Sequence, residues 1–275
     1  MGMSIKTNIS SLEAQKNLMG TENELNSSLA KLSSGYRITK ASDDAAGLAI
    51  SVNLGAQIRS YGQAIRNAND ALNVIQTAEA SLNEGQNILT RLRELASEAA
   101  SSGIGNTERG YIQNEVNALT SEIDRIANAT EYNGVALINS AIALTFQVGI
   151  RNVALNDQIT VTTANATASA LGINGLDFTT LTSAEGALSI IDAAMQSVSS
   201  VRATMGAQAN RMDTVINTAT TESVSLSAAQ SRIRDVNVAE ETSNLSRQQI
   251  LMQAGVSVLA QANQIPQAAL KLIGQ

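Results

Sequence analysis

Residues 64–99 read AIRNANDALNVIQTAEASLNEGQNILTRLRELASEA, and their spacing decides the fold. Ala64, Ala68, Ala71, Ile75, Ala78, Leu82, Gly85, Leu89, Leu92, Ala96 and Ala99 alternate four and three residues apart, and each is apolar or glycine. Such alternation keeps one seam on one face of a helix, which then needs a partner helix to cover it.

Working outward from this seam, Ser101-Ser102-Gly103-Ile104-Gly105-Asn106 supplies a helix stop and a loop. Gly103-Ile104-Gly105 begins like a nucleotide loop but has no third glycine and no preceding strand, so it reads as a turn. Ile112, Val116, Leu119, Ile123 and Ile126 resume the alternation, and this second helix can return antiparallel before ending near Tyr132-Asn133-Gly134. A third seam runs through Ile191, Met195, Val198, Arg202, Met205, Ala209, Met212, Ile216, Ala219, Ser223, Leu226, Gln230 and Ile233. Three seams predict a mainly α protein, an antiparallel coiled-coil helical bundle. At ~1.5 Å per residue the third helix would extend roughly 64 Å, against a radius of gyration of about 19 Å for a compact chain of this length. An elongated molecule is therefore expected.

Between the second and third seams the pattern changes. Ala143 to Val148 and Gln158 to Thr163 are rich in β-branched residues and predict a small β-hairpin near 143–163. Thr162 to Ser183, rich in Thr, Ala, Ser, Asn and Gly with Gly172 and Gly175 as breakers, reads as an exposed turn region. In Asp43-Asp44-Ala45-Ala46-Gly47, the acidic pair has no further ligand at a useful spacing for a metal. Ser42 or Asp43 is expected to cap the helix that follows.

Leu18, Leu25, Leu29 and Leu32 mark an N-terminal helix, and Leu245, Met252, Val256 and Leu259 a C-terminal one. Pro266 is expected to interrupt the latter before Leu270, Leu272 and Ile273. Ile9, Leu12, Ile250 and Leu251 lie off the narrow seams, so neither end can bury all of its apolar surface alone. Terminal helices with such a surplus are expected to pair with each other and then with neighbouring subunits. The polymerisation interface is accordingly expected at Ile5, Ile9, Leu12, Leu18, Leu25, Leu29, Leu32, Leu245, Met252, Val256, Leu259, Leu270, Leu272 and Ile273.

Composition narrows the function. With 275 residues and 44% apolar content, the chain can bury a sizeable core. The absence of His and Cys removes most zinc ligand sets, every thiol nucleophile and the usual base near neutral pH, so no enzyme activity, metal or cofactor is expected. A net charge of −6 without a basic stripe argues against a nucleic-acid partner. No apolar run approaches the ~20 residues of a membrane span, and Met-Gly-Met-Ser-Ile-Lys does not read as a Sec signal. Taken alone this reads as cytosolic, although the lack of cysteine also suits a protein exported by a route that needs no cleaved signal peptide.

Three sets of motifs, in order and spacing, resemble bacterial flagellin over nearly the whole chain. They are NISSLEAQKNL from Asn8 with LSSGYRITKASDDAAGLAIS from Leu32; QAIRNANDALNVIQTAEASLNEGQNILTRLRELAS from Gln63 with IDRIANATEYNG from Ile123; and SLSAAQSRIRDVNVAEETSNLSRQQILMQAGVSVLAQANQIPQ from Ser225. The resemblance implies a short form without the variable middle domains. Residues 1–42 and 234–275 would form an inner, filament-core domain, and 43–233 an outer helical bundle with the hairpin. It further implies a structural subunit of the extracellular flagellar filament used for swimming. The implied partners are copies of itself, an export chaperone, the type III export apparatus, the filament cap and hook-associated proteins. A hook-filament junction protein is the alternative, and the QAGVSVLAQANQIPQ match favours flagellin. Arg91-Leu92-Arg93-Glu94-Leu95-Ala96 reads first as a solvated helix face with Leu92 buried and Arg91 and Glu94 paired. On the resemblance, Arg91, Leu95 and Glu115 would contact an animal toll-like receptor.

Overall fold

The computed structural model describes residues 7–273, with side chains described for 7–264. In chain order the elements are α1 (Ile9–Ser34), α2 (Ala45–Ala99), α3 (Asn106–Ala129), β1 (Glu131–Tyr132), β2 (Val135–Ala136), β3 (Ala143–Gln147), α4 (Ala154–Asp157), β4 (Gln158–Thr162), α5 (Leu181–Arg234) and α6 (Val238–Ile273). The mainly α class follows directly, and α2 and α5 are helices of 55 and 54 residues. The chain packs as two units, one formed by Met1–Ala56 with Ser225–Gln275 and the other by Gln57–Val224. The divisions fall inside α2 and α5, whereas the sequence-based boundaries at 42/43 and 233/234 follow the breaks between helices.

The second unit is built on the three seams. Every residue of the 64–99 alternation is buried except Gly85, which is half-buried. Leu89 and Leu92 on α2, Val116 and Ile123 on α3, and Ile191, Val198, Met205 and Met212 on α5 join one continuous core. A Leu or Ile wholly removed from water contributes ~1.5–3 kcal/mol before ordering costs. Antiparallel packing is marked at the surface by Arg91 on α2 with Glu115 on α3 at 2.9 Å, and by Arg93 on α2 with Asp192 on α5 at 2.7 Å. Arg109 closes the C-terminal end of α2. It is a buried side chain that donates to the carbonyls of Ala99 and Ser101 at 2.8 and 2.9 Å and so satisfies acceptors that a helix end leaves open.

The hairpin stands where the β-branched runs placed it, with β3 antiparallel to β4 in register from Ala143 opposite Thr162 to Gln147 opposite Gln158. A second hairpin, β1–β2, occupies the stretch read as the end of the second helix. α3 stops at Ala129, and Asn133 (φ 51°) and Gly134 (φ 76°) make a two-residue turn. Asn-Gly suits a turn with both central residues at positive φ.

The segment after β4 corrects the exposed-turn reading of 162–183. Ala168, Ile173 and Phe178 are fully buried and belong to the core. Its backbone is satisfied by side chains of α3: Gln113 accepts from Phe178 N–H at 2.6 Å and donates to the Leu176 carbonyl at 2.9 Å, and Asp124 accepts from Ala168 N–H at 2.8 Å. Small polar residues dominate the composition, yet Ala166, Ala168, Ile173, Leu176 and Phe178 turn inward while their backbone groups find partners.

α6 corrects a second expectation, since it runs through Pro266 to Ile273 without a break. Proline removes one intrahelical hydrogen bond to the residue four positions earlier. That acceptor, the Ala262 carbonyl, instead receives Asn8 Nδ2 at 2.8 Å.

Candidate assembly surface

The terminal unit is organised by α1 against α6. Ser11 Oγ donates to Asn263 Oδ1 at 2.8 Å, Leu18 packs at Gly255, and Glu24 accepts from Gln248. Rising numbers on α1 meet falling numbers on α6, so the pair is antiparallel. Its seam obeys the four-three rule: Ser11, Ala14, Leu18, Thr21, Leu25, Ser28 and Leu32 face Ala262, Leu259, Gly255, Met252, Gln248, Leu245 and Glu241, and all are buried or half-buried. The seam is narrow because several of its residues are small. A Cβ on Gly255 would lie 3.1 Å from Leu18 Cδ1, so the Leu18 side chain packs closely against the glycine.

Local chemistry starts and stops these helices. Asn8 caps α1, accepting from Ser11 N–H at 3.1 Å, and Gly35 ends it at φ 74° with its N–H on the Lys31 carbonyl. Asp44 rather than Ser42 or Asp43 caps α2, its Oδ1 accepting from Gly47 N–H at 2.8 Å. Asp43 has the separate task of closing the preceding turn, accepting from Thr39 Oγ1, Thr39 N–H and Lys40 N–H at 2.9, 3.0 and 3.1 Å. The Thr39 hydroxyl, helped by the Thr39 and Lys40 amides, holds the Asp43 carboxyl below its ordinary range. The two interhelical links are zipped together: Arg37 N–H donates to the Arg234 carbonyl at 2.6 Å, Val236 N–H donates to the Gly35 carbonyl at 3.0 Å, and the Arg234 guanidinium lies 4.2 Å from the Tyr36 ring centre.

The residues expected at the polymerisation interface divide into two sets. Leu18, Leu25, Leu32, Leu245, Met252 and Leu259 are half-buried along the α1–α6 seam. Ile9, Leu12, Leu29 and Val256 face outward, Ile9 being 67% exposed. Met19, Val238, Ile250, Leu251 and Val258 are also exposed and were absent from the expected set, Ile250 at 66%. Their signal in the sequence was position: each is a large apolar residue off the heptad seam or, for Val238, at the first turn of its helix. Ile5 lies outside the described residues, and Leu270, Leu272 and Ile273 lie outside those whose side chains are described.

The proposed receptor residues are brought together only in part. Arg91 bonds both Glu115 at 2.9 Å and Glu94 at 3.1 Å, and all three are exposed. Leu95 is 2% exposed within the bundle core, so its side chain is not available at the surface. Leu95 lies three positions from Leu92, so both turn inward to the core while Arg91 and Glu94 stay outside.

Among the described residues, no group of three or more Asp or Glu side chains is arranged to hold a metal ion, and no helix is long and apolar enough to cross a membrane. Long helices, two paired chain ends and exposed apolar residues on that pair are the features a function must account for. Comparison with known proteins supplies the family. Residues 5–143 match the bacterial flagellin N-terminal helical region and residues 188–273 match the bacterial flagellin C-terminal helical region. The chain is 38% identical to flagellin of Bacillus subtilis (strain 168) and 38% identical to flagellin of Halalkalibacterium halodurans, with 98% of this chain and 100% of each relative aligned. Among solved structures it is similar to a putative flagellar hook-associated protein from Vibrio parahaemolyticus, with a TM-score of 0.59 at 15% identity over 70% of this chain and 100% of that one, a likeness of fold. The chain belongs to the bacterial flagellin family, and its role is that of a structural subunit of the flagellar filament.

Proposed function

We propose that the α1–α6 pair is the polymerising element, forming the filament-core domain, with Gln57–Val224 as the outward domain. The observation that carries this reading is the outward apolar set of Ile9, Leu12, Met19, Leu29, Ile250, Leu251, Val256 and Val258, far more than an isolated pair of helices needs. Exposed apolar residues in this number are suited to being covered by another molecule, and a repeated head-to-tail contact between identical copies gives an open helical polymer. Assembly at this face is where Ile9, Leu12, Leu29 and Val256 are buried, while Leu18, Leu25, Leu32, Leu245, Met252 and Leu259 hold the pair itself together. The alternative role at the hook-filament junction has less support, because the full-length relatives are flagellins.

The extracellular filament is the site of action. Type III export, an export chaperone and the filament cap accompany that assignment as partners, and the family's structural role goes with the absence of catalysis. The test is growth from preformed filament seeds. Purified chain is expected to elongate them, and Ile9→Asp with Ile250→Asp is expected to stop elongation without unfolding the Gln57–Val224 bundle. Elongation by the double variant at the normal rate would refute the assignment.

A receptor reading keeps the exposed Arg91–Glu115 pair and drops Leu95. Replacing Arg91 by Asp is expected to lower toll-like receptor signalling by soluble protein, and unchanged signalling would remove that partner.

A further inference from the structure

Asn8 uses both ends of its side-chain amide. Oδ1 accepts from Ser11 N–H at 3.1 Å, which caps α1, and Nδ2 donates to the Ala262 carbonyl at 2.8 Å, which crosses to α6. Ala262 is the residue four positions before Pro266, so its carbonyl is the one acceptor in this part of α6 that Pro266 cannot serve. Ala262 is a buried residue, 6% exposed, and an unpartnered carbonyl in such a place is costly. Ser11, the residue capped by Asn8, reaches the next position of α6 through its own hydroxyl, at 2.8 Å from Asn263 Oδ1. The start of α1 and the Pro266 turn of α6 thus complete each other's hydrogen bonding.

We propose that Asn8 is a positioning residue that makes the ordering of the two chain ends a single event, by supplying the donor that Pro266 removes from α6. Without α1 in place, the Ala262 carbonyl has no donor and α6 is weakened at Pro266. Without α6 beyond Gly255, Asn8 can still cap α1 but loses its second bond. Either end alone is incomplete, so a subunit adds both helices or neither. This deepens the assignment of the α1–α6 pair as the polymerising element and rests on it.

The geometry separates the two roles of Asn8. Asn8→Asp keeps the capping acceptor and loses the donor, whereas Pro266→Ala gives α6 its own donor for the Ala262 carbonyl. The four full-length proteins, wild type, Asn8→Asp, Pro266→Ala and the double variant, are compared for the critical concentration of growth from seeds and for amide exchange of the 262–273 segment. Asn8→Asp is expected to raise the critical concentration and the exchange rate about 5- to 10-fold, the scale of one lost buried hydrogen bond. In the Pro266→Ala background the same change is expected to matter less than about twofold. Equal effects of Asn8→Asp in both backgrounds would overturn the proposal, as would an Asn8→Asp protein indistinguishable from wild type. If wild type itself does not elongate seeds, the filament-core assignment fails, and exchange in the soluble chain still decides whether Asn8 and Pro266 are coupled.

Discussion

The terminal pair and the Gln57–Val224 bundle obey the same heptad rule with opposite choices of residue. In the bundle the seams carry mostly Leu, Ile, Val, Met and Ala, with Gly85, Arg202 and Ser223 as exceptions, and Leu89, Leu92, Ile191 and Met212 are wholly buried. In the α1–α6 pair the seam carries Ser11, Thr21, Ser28, Glu241, Gln248 and Gly255 among its leucines, and within α1 the only fully buried residues are serines. Many large apolar side chains of the pair, Ile9, Leu12, Met19, Leu29, Ile250, Leu251, Val256 and Val258, sit outside the seam. The bundle is therefore a finished core, whereas the pair has close backbone contact but little apolar area of its own to bury. A helix pair with this many exposed apolar residues is suited to a third surface, which under the proposed function is another subunit.

Deletion puts the greatest strain on that contrast. Removing residues 1–34 or 238–275 is expected to abolish growth from seeds entirely, while circular dichroism of the remainder still reports a helical bundle that melts cooperatively. Filaments grown from either truncated chain would mean that the bundle, not the pair, carries assembly.

Next in size is the core of the bundle. Leu92→Ala should destabilise it by ~2–5 kcal/mol in denaturant unfolding, from lost transfer energy and the cavity left behind. A loss under 1 kcal/mol would show that the seam around Leu92 relaxes and is not closely packed.

Val256→Asp sharpens the other half of the comparison. On the free chain it should change stability by no more than about 0.5 kcal/mol, as for a surface site. In the filament it forfeits ~1.5–3 kcal/mol of apolar burial, a rise of about 10- to 100-fold in critical concentration. Equal effects on free chain and filament would remove the distinction between a finished and an unfinished surface.

The smallest effect concerns Asp43, in the link between α1 and α2. Its folded-state carboxyl is held below the ordinary range, so its contribution is fully present above the unfolded value and is lost as pH falls through the lowered folded value. Asp43→Asn should flatten the acid limb of a stability-pH curve and leave neutral pH nearly unchanged. The exposed Arg91–Glu115 pair is expected to be equally quiet: Arg91→Ala should move the thermal midpoint little, because solvent and salt screen such pairs.

Much of this was legible in the residues. Period-3.5 patterns located α2, α3 and α5 and the residues that fill their core, since a repeated apolar stripe has only one way to be buried. β-branched runs placed β3 and β4 within a residue. Leu95 was misjudged because a surface patch copied from a resemblance ignores which face of the helix it lies on, and Phe178 because a polar composition hides a few inward-facing residues. Asp44 took the cap assigned to its neighbours because Asp43 was already committed to Thr39 and Lys40.

By itself, the sequence determined that this chain forms long helices, that they pair through heptad seams, and that its two ends carry apolar surface beyond their own needs. These are properties of local periodicity, and periodicity survives without knowing any distant contact. Only the tertiary structure decided which groups on different elements meet. It put Gln113 beneath Phe178, Arg109 on the end of α2, and Asn8 on the carbonyl that Pro266 leaves open. Hydrogen bonds between residues far apart in the chain depend on where the helices lie in space, and no local pattern encodes that.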